Sequence, residues 1–347
     1  MAYTTIDDPS AYFQTATYTG DGAGSLAITN TGNSDLQPDW LWIKRRDGAV
    51  NHLLHDSVRG VNNLLVSNTN AADDSNSNIF IGFDDDGFRV GANSASNVNN
   101  GTFVAWQWKA GTAFSNDASS TSVGSIDSVG SVNTDAGFSI VSFTGGGANA
   151  TIKHGLTSKP SMIIVKARGQ ASTWSVYHAS LGATKFLRLE GNNAVGTEAG
   201  WWNNTEPTSS VFSIGTNHYA NTQIAYCFSE KQGYSKFGSY IGNGNADGTF
   251  VYLGFKPAWL LVKSTATNDW ILHDTKRSPH NVSNVTLFPN GSDADVTNTI
   301  YNQDILSNGF KARTTHARLN GSGVSYIYMA FAENPFVTST GVPATAR

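Results

Sequence analysis

Short apolar runs, mostly four to seven residues long, recur along the chain between clusters of Gly, Asn, Asp and Ser. That punctuation predicts many short strands joined by tight turns. Nowhere does a spacing of three and four apolar residues persist long enough for a useful amphipathic helix. In the run 224–228, Ile224, Tyr226 and Phe228 alternate with smaller residues, and Ile327, Met329 and Phe331 do the same. A period of two sends one set toward a core and the other outward.

The runs come in a repeated order. An aromatic strand ends in Gly at Tyr18-Thr19-Gly20, Phe143-Thr144-Gly145 and Tyr240-Ile241-Gly242. A proline then leads an apolar run closed by lysine: Pro38 to Lys44, Pro160 to Lys166 and Pro257 to Lys263. Next come His52-Leu53-Leu54-His55-Asp56, Trp174-Ser175-Val176-Tyr177-His178 and Trp270-Ile271-Leu272-His273-Asp274. A fourth marker holds Phe88, Phe212 and Phe310, and closing strands end at Trp108, Phe228 and Phe331. From motif proline to last aromatic is 70, 68 and 74 positions. Repetition of this kind is the mark of one supersecondary unit used several times. The expected fold is all-β, a tandem array of three related antiparallel β-sandwich units. Proline suits the first position of a strand, where a missing N–H does no harm.

The boundaries read as unit one over 1–111, a Ser/Gly/Asp-rich linker over 112–136, unit two over 137–232 and unit three over 233–336. A tail occupies 337–347. The segment shows no core pattern and reads as a linker or an extended arm. The direct junction between units two and three predicts that they pack side by side.

Composition narrows the function. Charged residues are 14%, against about 25% in an average soluble protein. The net charge of −4 argues against a nucleic-acid binder, which would carry a basic stripe. The single cysteine, Cys227, lies in an apolar run, rules out an intrachain disulfide and reads as a small core residue. The opening residues have neither a basic nor an apolar segment of a secretory leader, and no apolar run reaches membrane-spanning length.

Candidate chemistry is sparse. His55-Asp56 and His273-Asp274 resemble halves of a catalytic or metal site, but neighbours on a strand point to opposite faces, so a structural role is expected. Asp84, Asp85 and Asp86 resemble part of a Ca²⁺ loop without its distal Glu, and Asp293 and Asp295 raise the same question. No other cofactor is suggested. Of the five glutamates, Glu230 and Glu333 are equivalent by repeat, which favours pairing with a lysine over the two-carboxylate chemistry of a glycosidase. No nucleotide, hydrolase or zinc-protease motif occurs, so no catalytic residue is assigned. Trp201 and Trp202, followed by Asn203 and Asn204, suggest aromatic faces beside amides, a surface for a sugar or a protein. The alternative is that both rings cover a core edge.

Gly233-Tyr234-Ser235-Lys236-Phe237-Gly238-Ser239-Tyr240, then Gly242-Asn243-Gly244 and Phe255-Lys256-Pro257-Ala258-Trp259, resemble a domain of tail-fibre-like and structural proteins of marine bacteriophages. The segments 306–311 and 326–333, the opening 2–9 and the strand 40–44 continue the likeness over most of the chain. The resemblance implies a concanavalin-A-like, jelly-roll or lectin-type sandwich, and no site residues. It implies a virion surface protein assembled in the bacterial cytoplasm. The expected partners are other capsid or tail proteins, further copies of the chain (a trimer fits a fibre) and a host-surface glycan. Neither nucleic acid nor a membrane is expected as a partner. Tail-fibre or adhesin is the first reading, capsid or tail decoration protein the second, and glycan-degrading enzyme a weak third.

Overall fold

The apolar runs behind the three motif prolines form the centres of three large antiparallel sheets in the computed structural model, which describes residues 2–344. In each sheet an opening strand, a closing strand, a proline strand and a histidine strand lie side by side in that order. In unit one these are Phe13–Thr19, Thr102–Trp108, Trp40–Arg45 and Leu53–Asp56. In unit two they are Phe138–Thr144, Thr222–Phe228, Met162–Ala167 and Ser175–His178. In unit three they are Ser235–Ile241, Ser325–Pro335, Phe255–Ser264 and Ile271–Asp274. A smaller sheet faces each: Leu26–Thr29 with Gly87–Val90 and Phe80–Asp84, Ala150–Lys153 with Val211–Ile214, and Phe250–Tyr252 with Gly309–Ala312 and Gln303–Leu306.

The alternation in the closing strands needs correcting: both sets of side chains are buried. Ala225 and Cys227 face the interior of sandwich two, whereas Ile224, Tyr226 and Phe228 face a different core. The proline strands divide likewise. Leu41 and Ile43, Ile163 and Val165, and Leu260 and Val262 fill their own sandwiches. Trp40 and Trp42, Met162 and Ile164, and Trp259 and Leu261 meet in one shared core. A strand covered on both faces reads as a continuous apolar run, as these do. Rings join the units there: Trp40 lies 4.5 Å from Tyr226, Trp108 5.5 Å from Trp259 and Phe228 6.1 Å from Phe331.

Contacts between units run in a closed cycle. Trp174 Nε1 of unit two donates to Val66 O of unit one at 3.0 Å. Trp270 Nε1 of unit three donates to Arg188 O of unit two at 2.8 Å. In unit one the equivalent residue, His52, accepts from Trp42 Nε1 through Nδ1 and turns Nε2 toward the Phe288 backbone of unit three without closing a full hydrogen bond. Trp270→Phe keeps an aromatic ring, removes one buried donor and leaves a small void. It is expected to cost about 1–2 kcal/mol in urea unfolding.

The segment 112–136 is not a free linker. Thr112–Asn116 and Ser128–Asn133 form two strands, and the second pairs with the opening strand of unit two. Gly130 is needed there, since a Cβ would stand 2.1 Å from Ile140 O. Backbone pairing holds the hairpin, and only Phe114, Ile126 and Val132 pack on the core of unit two, too few and too widely spaced to make an apolar pattern. In the tail, Val337 pairs with Pro343, and Ser339 N donates to Asp7 Oδ1 at 2.6 Å. The rest of the tail, 345–347, lies outside the described residues.

Pro38 and Pro160 stand two residues ahead of their strands, and Pro257 lies inside its strand at a register shift. Lys44, Lys166 and Lys263 are buried. Each ammonium donates to backbone carbonyls at or just past the end of its strand: Arg45 and Gly48, Ala167, and Ser264 and Ala266. Lys166 also reaches Asn70 O of unit one at 3.3 Å. Burial brings each of these lysines down to about 8.

Candidate functional site

The tryptophan pair does not form a sugar platform. Trp201 and Trp202 sit in the short helix Ala199–Trp202 and are 8% and 1% exposed. Trp201 packs 5.1 Å from Phe186, and Trp202 5.9 Å from Tyr177. Two adjacent helical residues anchor the helix on the small core of unit two, whose apolar demand outweighs the polar neighbourhood. Asn203 and Asn204 take left-handed backbone at φ 50° and 49°, an Asn-tolerant way to end a helix. Trp202→Phe is expected to cost about 1–2 kcal/mol of thermal stability through the void it leaves. A solvent-facing ring would cost almost nothing.

The acidic run is a turn. Asp84 pairs with Arg89 at 2.8 Å, Asp86 Oδ1 accepts from Leu36 N, and Gly87 carries φ 119°. Asp85 lies in the turn between the strands Phe80–Asp84 and Gly87–Val90. Among the described residues no three His, Cys, Asp or Glu side chains converge as a metal would need. Cys227 is buried, and burial pushes its thiol well above the usual range.

Glu333 pairs with Lys256 at 3.0 Å and accepts from Thr275 Oγ1, whereas Glu230 accepts from the Phe237 amide. His55 stacks on Phe80, 4.7 Å away, in its own sandwich. His273 contacts Thr286 Oγ1 at 2.8 Å. The aspartates beside them point the other way, into the seams between units, and there the ionisable chemistry of the molecule concentrates.

At the seam of units one and two, Arg59 Nε meets Asp56 Oδ2 at 2.5 Å, and its Nη1 meets Asp73 at 2.9 Å. Unit two contributes Arg168, 2.9 Å from Asp73, and Tyr226, whose hydroxyl donates to Asp56 at 2.7 Å. At the seam of units three and one, Arg277 meets Asp274 at 2.5 Å and Asp295 at 2.9 Å. Unit one contributes Arg46, 2.8 Å from Asp295, and Trp106, whose indole donates to Asp274 at 3.1 Å. Burial opposes the charge on Arg59, but Asp56, Tyr226 and Asp73 more than offset it, and the guanidinium is held above its ordinary range. Asp295, considered as a Ca²⁺ ligand, is therefore already paired. Asp293 lies near Lys44.

The seam of units two and three occupies equivalent positions with uncharged groups. His178, Leu181 and Val195 replace Asp, Arg and Asp, while Thr265 and Met329 replace the incoming Arg and aromatic. The pairing frame persists: Asp73 N, Asp295 N and Val195 N donate to the carbonyls of Arg168, Arg46 and Thr265. His178 takes a proton donor at Nδ1 from Ser180 N, so its Nε2–H points to Tyr328 O of unit three, 3.1 Å away. The recurring Asp-x-x-Arg of 56–59 and 274–277 was the available signal for this set. It matters only once the strands are known to face a seam.

Of the residues that the sequence offered for chemistry, Asp56, Asp274 and Asp295 enter these clusters and the rest are dispersed; Arg59, Asp73, Arg168 and Tyr226 gather at one seam and Arg46, Trp106 and Arg277 at another. This arrangement clamps three sandwiches into one body. No helix among the described residues is long and apolar enough to cross a membrane. Comparison with curated proteins and with solved structures returned no match. One family model spans residues 8–335, all three sandwiches at once, as expected for a body with a shared core. The chain therefore belongs to the family described as "Domain of unknown function (DUF7483)".

Proposed function

We propose that the chain is a structural protein of the bacteriophage virion surface, of the tail-fibre or adhesin type, which contacts the host surface and its glycans. The likeness of 233–259, 306–311 and 326–333 to phage tail-fibre-like domains carries the reading. The burial of eight Trp side chains below 2% exposure supports it, because a rigid body suits service outside the cell. So does the placing of ion pairs inside seams, where salt screens them least. A decoration protein of the capsid or tail is the second reading. It is favoured by the lack, among the described residues, of any helix longer than four residues from which a shaft could be wound.

Copy number in purified particles tests both, by quantitative mass spectrometry against the major capsid protein. A few to a few dozen copies supports the fibre or adhesin, and a fixed ratio near the capsid count supports decoration. Absence from particles removes both.

A further inference from the structure

The three opening strands hold equivalent places at the ends of their large sheets, and their outer edges have different fates. In unit two the edge of Phe138–Thr144 is paired from Phe138 to Phe143 by Ser128–Asn133 of the chain's own hairpin. In unit three the edge of Ser235–Ile241 is partly closed: Ser235 N donates to Lys231 O, Phe237 N to Glu230, and Thr249 Oγ1 to Ile241 O. In unit one, Phe13–Thr19 pairs with Thr102–Trp108 over seven residues, and its outer backbone makes no hydrogen bond among the described residues.

That edge also lacks the usual defences against strand addition. It has no charged residue, no proline and no bulge, and it is rich in Thr, Tyr and Phe. Beside it runs a groove of about 430 Å³. Phe13, Gln14 and Thr15 line one side and Lys276, Pro279 and Glu333 of unit three the other. By register, Phe13, Gln14 and Thr15 correspond to Phe138, Ser139 and Ile140, which face Asn133, Val132 and Ser131 in unit two. The groove therefore occupies the place that the hairpin strand fills in the neighbouring sandwich.

We infer that this edge accepts an extended segment of a separate polypeptide, which adds antiparallel to Phe13–Thr19 as Ser128–Asn133 adds to Phe138–Thr144. The occupant is an uncharged, Ser/Thr/Val-type arm recognised through its backbone. The groove has walls from two units, so a thin arm enters where the folded edge of a second copy would be held off. This inference does not depend on the virion reading, since any partner with such an arm would serve.

The test uses the full chain, hydrogen exchange and two capped probe peptides. One has the sequence of residues 128–134 and the other is an alternating Thr-Val heptamer. Saturable binding should slow the outward-facing amides of Thr15, Thr17 and Thr19 about tenfold at ten times the Kd, while those of Ala16 and Tyr18, which face the closing strand, serve as the internal reference. The same peptides N-methylated at alternate residues should leave the outward-facing amides unchanged. If neither probe slows them at millimolar concentration, or the slowing falls on 138–144 or 235–241, the inference is wrong. It is also wrong if the chain dimerises in sedimentation and protects these amides by itself, since a second copy would then own the edge.

Discussion

Arg59→Ala will lower the unfolding free energy by about 3–5 kcal/mol, because it strands the buried carboxylate of Asp56 and weakens the hold on Asp73. The molecule already contains the remedy. Replacing the whole set at that seam by its counterpart from the uncharged seam (Asp56→His, Arg59→Leu, Asp73→Val, Arg168→Thr and Tyr226→Met) removes every charge together. Burying apolar groups in place of a complete ion network is often neutral, so the five-fold variant should regain most of the loss despite carrying more changes. Urea unfolding of wild type, single and five-fold variants decides it. A five-fold variant weaker than Arg59→Ala would mean that the seams are not interchangeable.

Acid will unfold the protein near pH 5. Burial, the first cause in each case, holds His55 and His273 down to about 3, and His154, His178 and His218 down to about 4. An unfolded histidine takes its proton near 6.5, so between those limits the unfolded chain binds more protons than the folded one. The stability is whole above pH 6.5 and falls with pH, at up to about 7 kcal/mol per unit for five such groups. A domain stability of about 5–15 kcal/mol is exhausted within roughly two units. Tryptophan fluorescence along a pH titration will show it. A cooperative fold that survives to pH 3.5 would mean that the imidazoles gain protons without unfolding.

The sequence disclosed the strands because period-two runs and turn clusters are local signals, and it disclosed the repeat because Pro38, Pro160 and Pro257 keep register with Lys44, Lys166 and Lys263. It hid the shared core. Trp40-Leu41-Trp42-Ile43 looks the same whether its second face meets solvent or another sheet, and only the near-absence of polar residues from the run hinted at the latter. The hairpin 112–133 escaped because an edge strand needs backbone partners more than apolar side chains. Trp201 and Trp202 misled because the polar residues after them describe the end of a helix and not the setting of the rings. The seam ion pairs escaped for a different reason: Arg168 and Asp73, or Arg46 and Asp295, are far apart in sequence, and no local pattern links them.

The contact between Asp7 and Ser339 has a consequence for how the domain can be used. Chain enters and leaves the folded body at neighbouring points, reinforced by Tyr3 against the ring of Phe336. A body with adjoining entry and exit can be spliced into a surface loop of a larger protein without prising that host apart. By the same geometry, a circular permutant with its ends joined by a short Gly/Ser bridge and reopened between 232 and 233 should still close its ring.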